Sequence, residues 1–201
     1  MAIVGESIEN PLSGERITWV ETAASSTGEV LAFDLEMQPG AAVAAEHRHL
    51  DQEERFAVTA GSINVSIDGA ERMLSAGETA VVPPGVAHRW SNVAAERAVV
   101  RVELRPALES EVFFETLFGL ARDGRTNAKG IPGLLQIAVA CADLGDSCPR
   151  LVKPPVAIQT LLLTPLAPLG RWLGRRASYP AYSPDRAETP VGQSGLRRST
   201  G

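Results

Sequence analysis

Apolar and polar residues alternate through three stretches of the first half of this chain. Leu31, Phe33, Leu35 and Met37 alternate with Ala32, Asp34, Glu36 and Gln38. Ile63, Val65 and Ile67 alternate with Ser62, Asn64 and Ser66, and Ala98, Val100, Val102 and Leu104 with Val99, Arg101, Glu103 and Arg105. A period of two predicts half-buried strands. Asp68-Gly69 is a two-residue hairpin signal leading into Glu71 to Leu74. Many short strands with Gly and Pro punctuation and no intervening helix predict an all-β sandwich or barrel. Between Glu53 and Ala60, the more apolar set is Glu54, Phe56, Val58 and Ala60, so Glu54 is expected to point inward with it. Glu53, Arg55, Ala57 and Thr59 then face solvent. Val43, Ala45, His47 and His49 also share one parity.

After Pro106 the period changes. Val112, Phe113, Phe114, Leu117, Phe118 and Leu120 give Glu111 to Arg122 a helical apolar face, ended by Asp123-Gly124. Pro132 to Leu144 predicts a second helix with Gly145 as its stop, and Pro154-Pro155 can open a third running towards Arg171 to Arg176. Pro165 and Pro168 should kink or interrupt that third helix. Beyond Tyr182 the chain has no periodicity. The expected organisation is a β domain over 1–106, a helical extension over 107–182 that packs on it, and a disordered tail over 183–201.

Charge and cysteine content narrow the partners. A formal net charge of −5 and a pI near 5.3 give no footprint for nucleic acid. The N-terminus has neither a basic nor an apolar leader region, which reads as cytoplasmic. Cys141 and Cys148 lack Cys-x-x-Cys spacing and are expected to be reduced and structural. The apolar stretch from Val156 to Leu169, followed by Arg171, Trp172, Arg175 and Arg176, raises membrane-surface contact by 156–176. It is short of the ~20 residues a spanning helix needs, and a helix buried against the barrel or at a dimer interface is the favoured reading.

All three histidines fall in two segments with metal-ligand spacing. His47 and His49 are two apart, so on a strand they face the same way; Glu54 follows on inward parity, and His88 stands among the turn residues Pro83, Pro84 and Gly85. Imidazole and carboxylate suit Zn, Fe, Mn, Ni or Cu. His47, His49, Glu54 and His88 are therefore the candidate metal ligands. Phe33, Met37, Phe56, Val58, Trp90 and Val102 share inward parity and are read as barrel core before substrate contacts. Arg55 and Arg89 flank ligands with outward parity and read as surface charges.

These residues resemble the two motifs of the cupin superfamily. The first motif is matched from His47-x-His49 through Glu54 to Gly61, with six residues instead of five between Gly40 and His47. The second is matched in full by Gly77, Pro83, Gly85, His88 and Asn92. The resemblance implies a small antiparallel β-barrel (the jelly-roll, double-stranded β-helix form) binding one divalent metal through His47, His49, Glu54 and His88. The chain also resembles bacterial single-barrel cupins with a helical C-terminal extension, at Asn10-Pro11, Gly14-Glu15-Arg16, Gln52 to Phe56 and Leu117 to Gly124.

Three imidazoles and a carboxylate leave up to two positions open on a six-coordinate metal, enough for a small chelating substrate. With Fe, Mn or Ni the expected chemistry is oxygenase-type, acting on a small enol or aromatic compound. With Zn it is isomerisation or cyclisation, since Zn has no redox chemistry. Glu54 is also the candidate catalytic base. The alternative from another class is a noncatalytic sensor of a small molecule or metal. Exposed strand edges make a homodimer the expected assembly.

Overall fold

The computed structural model describes residues 2–43 and 45–183. Its strands are β1 (Ser7–Asn10), β2 (Glu15–Glu21), β3 (Leu31–Met37), β4 (His47–Arg48), β5 (Glu53–Ala60), β6 (Ser62–Ile67), β7 (Ala70–Ser75), β8 (Thr79–Val82), β9 (His88–Ser91), β10 (Ala98–Arg105) and β11 (Arg150–Leu151). The helices are α1 (Ser110–Arg122), α2 (Leu134–Asp143), α3 (Val156–Leu163) and α4 (Leu166–Trp172). Two antiparallel sheets form, one in the order β1-β2-β3-β10-β5-β8 and the other β11-β4-β9-β6-β7. The architecture is mainly β, of jelly-roll type, with the helices outside.

The alternating pattern explains how the sheets close on one core. Leu31, Phe33, Leu35 and Met37 of β3 and Ala98, Val100, Val102 and Leu104 of β10 are buried, and the two strands pair in register from Leu31↔Leu104 to Met37↔Ala98. Ile63 and Val65 of the second sheet join the same cluster from the other side. In β5 the predicted inward set holds for Glu54, Phe56 and Val58, while Ala60 is exposed at the strand's end. The β6–β7 hairpin turns on Asp68 and Gly69, both at positive φ (50° and 78°), the conformation a two-residue turn of this twist requires.

The helical extension is tied into the barrel at several points. Phe118 is buried in the barrel core, with Phe114 and Leu117 packed against it. Phe114 stands edge-on to Phe33 at 5.2 Å, and Phe33 edge-on to Trp19 at 5.8 Å. Such aromatic pairs contribute about 0.5–1.5 kcal/mol each beyond their area burial. Buried Gln52 donates from Nε2 to the carbonyls of Pro106 and Ala107 and to Ser110 Oγ, so one side chain stitches the start of β5 to the start of α1. Farther along, β11 pairs antiparallel with β4, setting Leu151 opposite His47. The sequence reading has no strand there.

Several other expectations are corrected. Cys141 and Cys148 form a disulfide, because the chain turns at Leu144–Gly145 and brings their Cα atoms to 5.1 Å. The third helix is interrupted at Thr164-Pro165 as expected, but Pro168 sits in the first turn of α4, where the missing N–H costs nothing. α3 and α4 pack on α2, and most of their apolar side chains are exposed rather than buried against the barrel. Ser183, placed in the tail by sequence, is buried and donates its hydroxyl hydrogen to Glu115. The remainder of the predicted tail, 184–201, lies outside the described residues. Among the described residues no helix is long and apolar enough to cross a membrane.

Candidate metal centre

The four sequence-predicted ligands meet inside the barrel. His47, His49, Glu54 and His88 are all buried, and one donor atom from each lies within 4.8 Å of the others. Two imidazoles come from the second sheet, where antiparallel β4 and β9 set His47 directly opposite His88, and His49 follows just past the end of β4. Glu54 reaches them from the first sheet, where it sits between Leu104 of β10 and Val82 of β8. Its Oε2 is 2.7 Å from His88 Nε2 and 3.4 Å from His49 Nε2.

The motif glycines and prolines hold this geometry. The turn at Pro83-Pro84-Gly85 puts Gly85 at φ 80°, from which its N–H donates to the His49 carbonyl at 2.7 Å. The same turn presents the Val86 carbonyl to His88 Nδ1 at 3.1 Å, and the Ala45 carbonyl lies 3.0 Å from His47 Nδ1. With each Nδ1–H given to a carbonyl, Nε2 of His47 and of His88 is left as the donor atom. Asn92, fully buried, donates Nδ2–H to the carbonyls of Met37 and Glu96 and locks the exit from β9.

The electrostatics suit a cation. Burial drives His47 down to about 3, and the neighbouring His88 and His49 add to it, so it is a neutral ligand at pH 7. Burial works against an ionised Glu54, but hydrogen bonds with His49 and His88 outweigh it and hold its carboxyl well below the usual carboxylate range. Burial likewise lowers His88, yet the Glu54 carboxylate more than offsets it and raises that imidazole. His49 Nδ1 is buried without a partner. Three imidazoles, an ionised carboxylate and an orphaned ring nitrogen fit a divalent metal, which none of these groups could replace from the apolar walls around them.

The metal-stripped protein should lose stability in acid. His47 in the unfolded chain takes a proton near 6.5, whereas the folded chain resists it until about 3. Stability therefore falls as pH drops through that window, on the order of a few kcal/mol at most. Glu54 adds loss below its unfolded value of 4.5. His88 acts oppositely: its contribution is full below 6.5 and disappears as pH rises through its elevated folded value. Thermal melts of stripped protein should show a falling acid limb, which His47→Asn should flatten.

Of the six inward candidates for the pocket, Phe56 and Trp90 adjoin the ligands. Trp90 stacks on His88 at 5.9 Å and meets His47 edge-on at 5.4 Å, and Phe56 is 6.4 Å from the His88 ring. Phe33, Met37, Val58 and Val102 are buried in the same core, with Phe33 turned to Trp19 and Phe114. Arg55 and Arg89 are surface charges, paired with Glu53 and Glu71. Sequence reasoning missed Glu15. It shares inward parity with Ile17 and Trp19 on β2, beside Ser13 and Trp90. Burial pushes its carboxyl up to about 7, against the easing effect of those two neighbours. The parity was available in the sequence, but Glu15 stands at a strand end beside a turn and is only half-buried.

Residues 33–104 match the cupin domain family model. Over this span the chain is similar to a cupin domain. Several solved structures resemble it at low identity. They include a sugar phosphate isomerase from a cupin superfamily of Silicibacter pomeroyi (22% identity over 47% of this chain and 60% of that one, TM-score 0.42). An RmlC-like cupin from Shewanella frigidimarina matches at 24% identity over 52% of this chain and 86% of that one, TM-score 0.44. A predicted oxalate decarboxylase from Thermotoga maritima matches at 18% over 52% and 93%, TM-score 0.46. The chain thus spans about three fifths of the isomerase's length. No curated protein matches it.

Proposed function

We propose that this cupin is a metal-dependent enzyme acting on a small organic molecule, with oxygenase-type chemistry at the His47, His49, Glu54 and His88 centre. The observation that carries the reading is the complete buried ligand set, with Glu54 held anionic against its own burial. A divalent metal bound there supplies Lewis acidity and a template, and Fe, Mn or Ni adds redox chemistry. The protein's share is to orient the His47 and His88 imidazoles through their Nδ1 carbonyl contacts and to keep water out with Phe56 and Trp90. Those two rings, 5.3 Å apart, also offer an apolar wall to a planar enol or aromatic substrate.

A second reading, isomerisation or cyclisation with Zn, is favoured by Glu15. A carboxyl that titrates near neutral pH beside Trp90 can both take and return a proton, which redox-neutral rearrangements need. The deciding experiment strips the protein, reloads it separately with Fe, Mn, Ni and Zn, and offers a panel of small enols and catechols. Oxygen uptake supported by Fe, Mn or Ni supports the oxygenase. Oxygen-independent solvent-deuterium exchange with Zn, lost in Glu15→Gln, supports the isomerase. Failure of every metal to bind would sink both.

A further inference from the structure

The α3–α4 pair is amphipathic in reverse. Gln159 is the buried side chain of α3, its Nε2 donating to the carbonyls of Leu151 and Pro154. In α4 the buried residues are Ala167 and Gly170. Gly170 sits so close to α2 that a Cβ there would lie 2.7 Å from Val139 Cγ2 and 2.8 Å from the Leu135 carbonyl oxygen. Small and polar residues therefore fix which side faces the protein.

The large apolar residues face outward. Ile158, Leu161 and Leu162 on α3 are exposed, and so are Leu169 and Trp172 on α4 and Leu173 at its C-cap. Each trio has i, i+3, i+4 spacing, which places its members on one helix face. Leu161 is 74% exposed and Trp172 81%, values far from those of core side chains. An apolar surface of this extent marks an interaction site.

Charge says what covers it. Residues 147–183 contain Arg150, Lys153, Arg171, Arg175 and Arg176 and no Asp or Glu, in a chain whose net charge is −5. Arg171 pairs with Asp143, while Lys153 and Arg176 are exposed and Arg175 lines a cleft of about 290 Å³ with Arg125 and Leu134. Leucines and an exposed tryptophan, with arginines adjoining them along the chain, match an anionic interface, where apolar side chains enter the acyl boundary and cations meet headgroups. We propose that the exposed face of α3 and α4 is a peripheral docking surface for an anionic lipid bilayer. It lies on elements separate from the metal ligands and does not depend on what the metal does.

Full-length protein is sedimented with vesicles of phosphatidylcholine alone, or of phosphatidylcholine with phosphatidylglycerol. It should pellet with the second and not the first, and less so as salt rises. Tryptophan emission should shift to the blue on binding, a report of Trp172 because Trp19 and Trp90 are already buried. Leu162→Ser with Trp172→Ser should lower partitioning at least about tenfold. Arg175→Gln and Arg176→Gln should lower it about fivefold per charge. Circular dichroism and metal content should stay unchanged in all of them. No preference for anionic vesicles, or variants that bind as the parent does, would overturn the proposal. So would a stable dimer dispersed by Leu162→Ser with Trp172→Ser, which would assign the face to a second copy of the chain.

Discussion

His88→Ala should reduce divalent-metal affinity by more than ~100-fold, since loss of even a group that merely supports a ligand costs 10–100-fold. His88 is wholly buried, and its Nε2 stands 2.7 Å from Glu54 Oε2. Alanine removes one of four donors. It also takes away the nearer of the two imidazoles that hold the Glu54 carboxylate ionised, leaving His49 at 3.4 Å to oppose the cost of burial. Glu54 then binds a proton more readily, so the site loses two donors in effect. Elemental analysis after gel filtration should find metal in the parent and in an Arg89→Ala control, whose side chain is exposed and paired with Glu71. Metal retained in His88→Ala at the parent's level would exclude this ligand set. A circular dichroism spectrum like the parent's separates lost binding from lost folding.

The second large effect is structural. Gly61→Ala should destabilise the protein by about 3 kcal/mol or more. Gly61 turns β5 into β6 at φ 69°, a region that costs an L-residue roughly 1–2 kcal/mol. The new Cβ would also lie 2.7 Å from the Arg97 carbonyl oxygen and 3.0 Å from Ala98 Cα. Both are backbone atoms at the start of β10, the strand that pairs with β3 and β5, so relief means moving the centre of the first sheet. Gly69→Asn is the contrast. Gly69 also has positive φ, but nothing lies within 4 Å of its would-be Cβ, and Asn tolerates that conformation. Urea midpoints should separate the two substitutions, and equal midpoints would show that the contact with β10 is unimportant.

Where the sequence was legible, it was so because one face of each long strand is buried. A period of two then carries its own direction, and the inward position of Glu54 followed from Phe56 and Val58 beside it. The two histidine segments could be joined because strand parity and the Pro83–Gly85 turn send both inward. Other features come from contacts distant in sequence. β11 is two residues long and has no period to read. The disulfide depends on the turn that ends α2, and Cys spacing alone does not reveal it. Hydrophobicity located α3 and α4 but could not orient them. That was decided by Gln159 reaching two carbonyls and by the close approach at Gly170. Glu15 was missed as a candidate, because its neighbour Trp90 comes from the opposite sheet.

The pairing of β11 with β4 means that the catalytic-looking half of this protein is not a detachable unit. A chain ended at Pro106 would keep every candidate ligand and the whole family-matched segment. It would also strip the outer neighbour from the two-residue strand that carries His47 and bare its hydrogen-bonding groups on one side. Such an edge invites another chain to add to it. The shortest fragment that keeps the His47 strand flanked on both sides runs at least to Leu151, well past the end of the barrel.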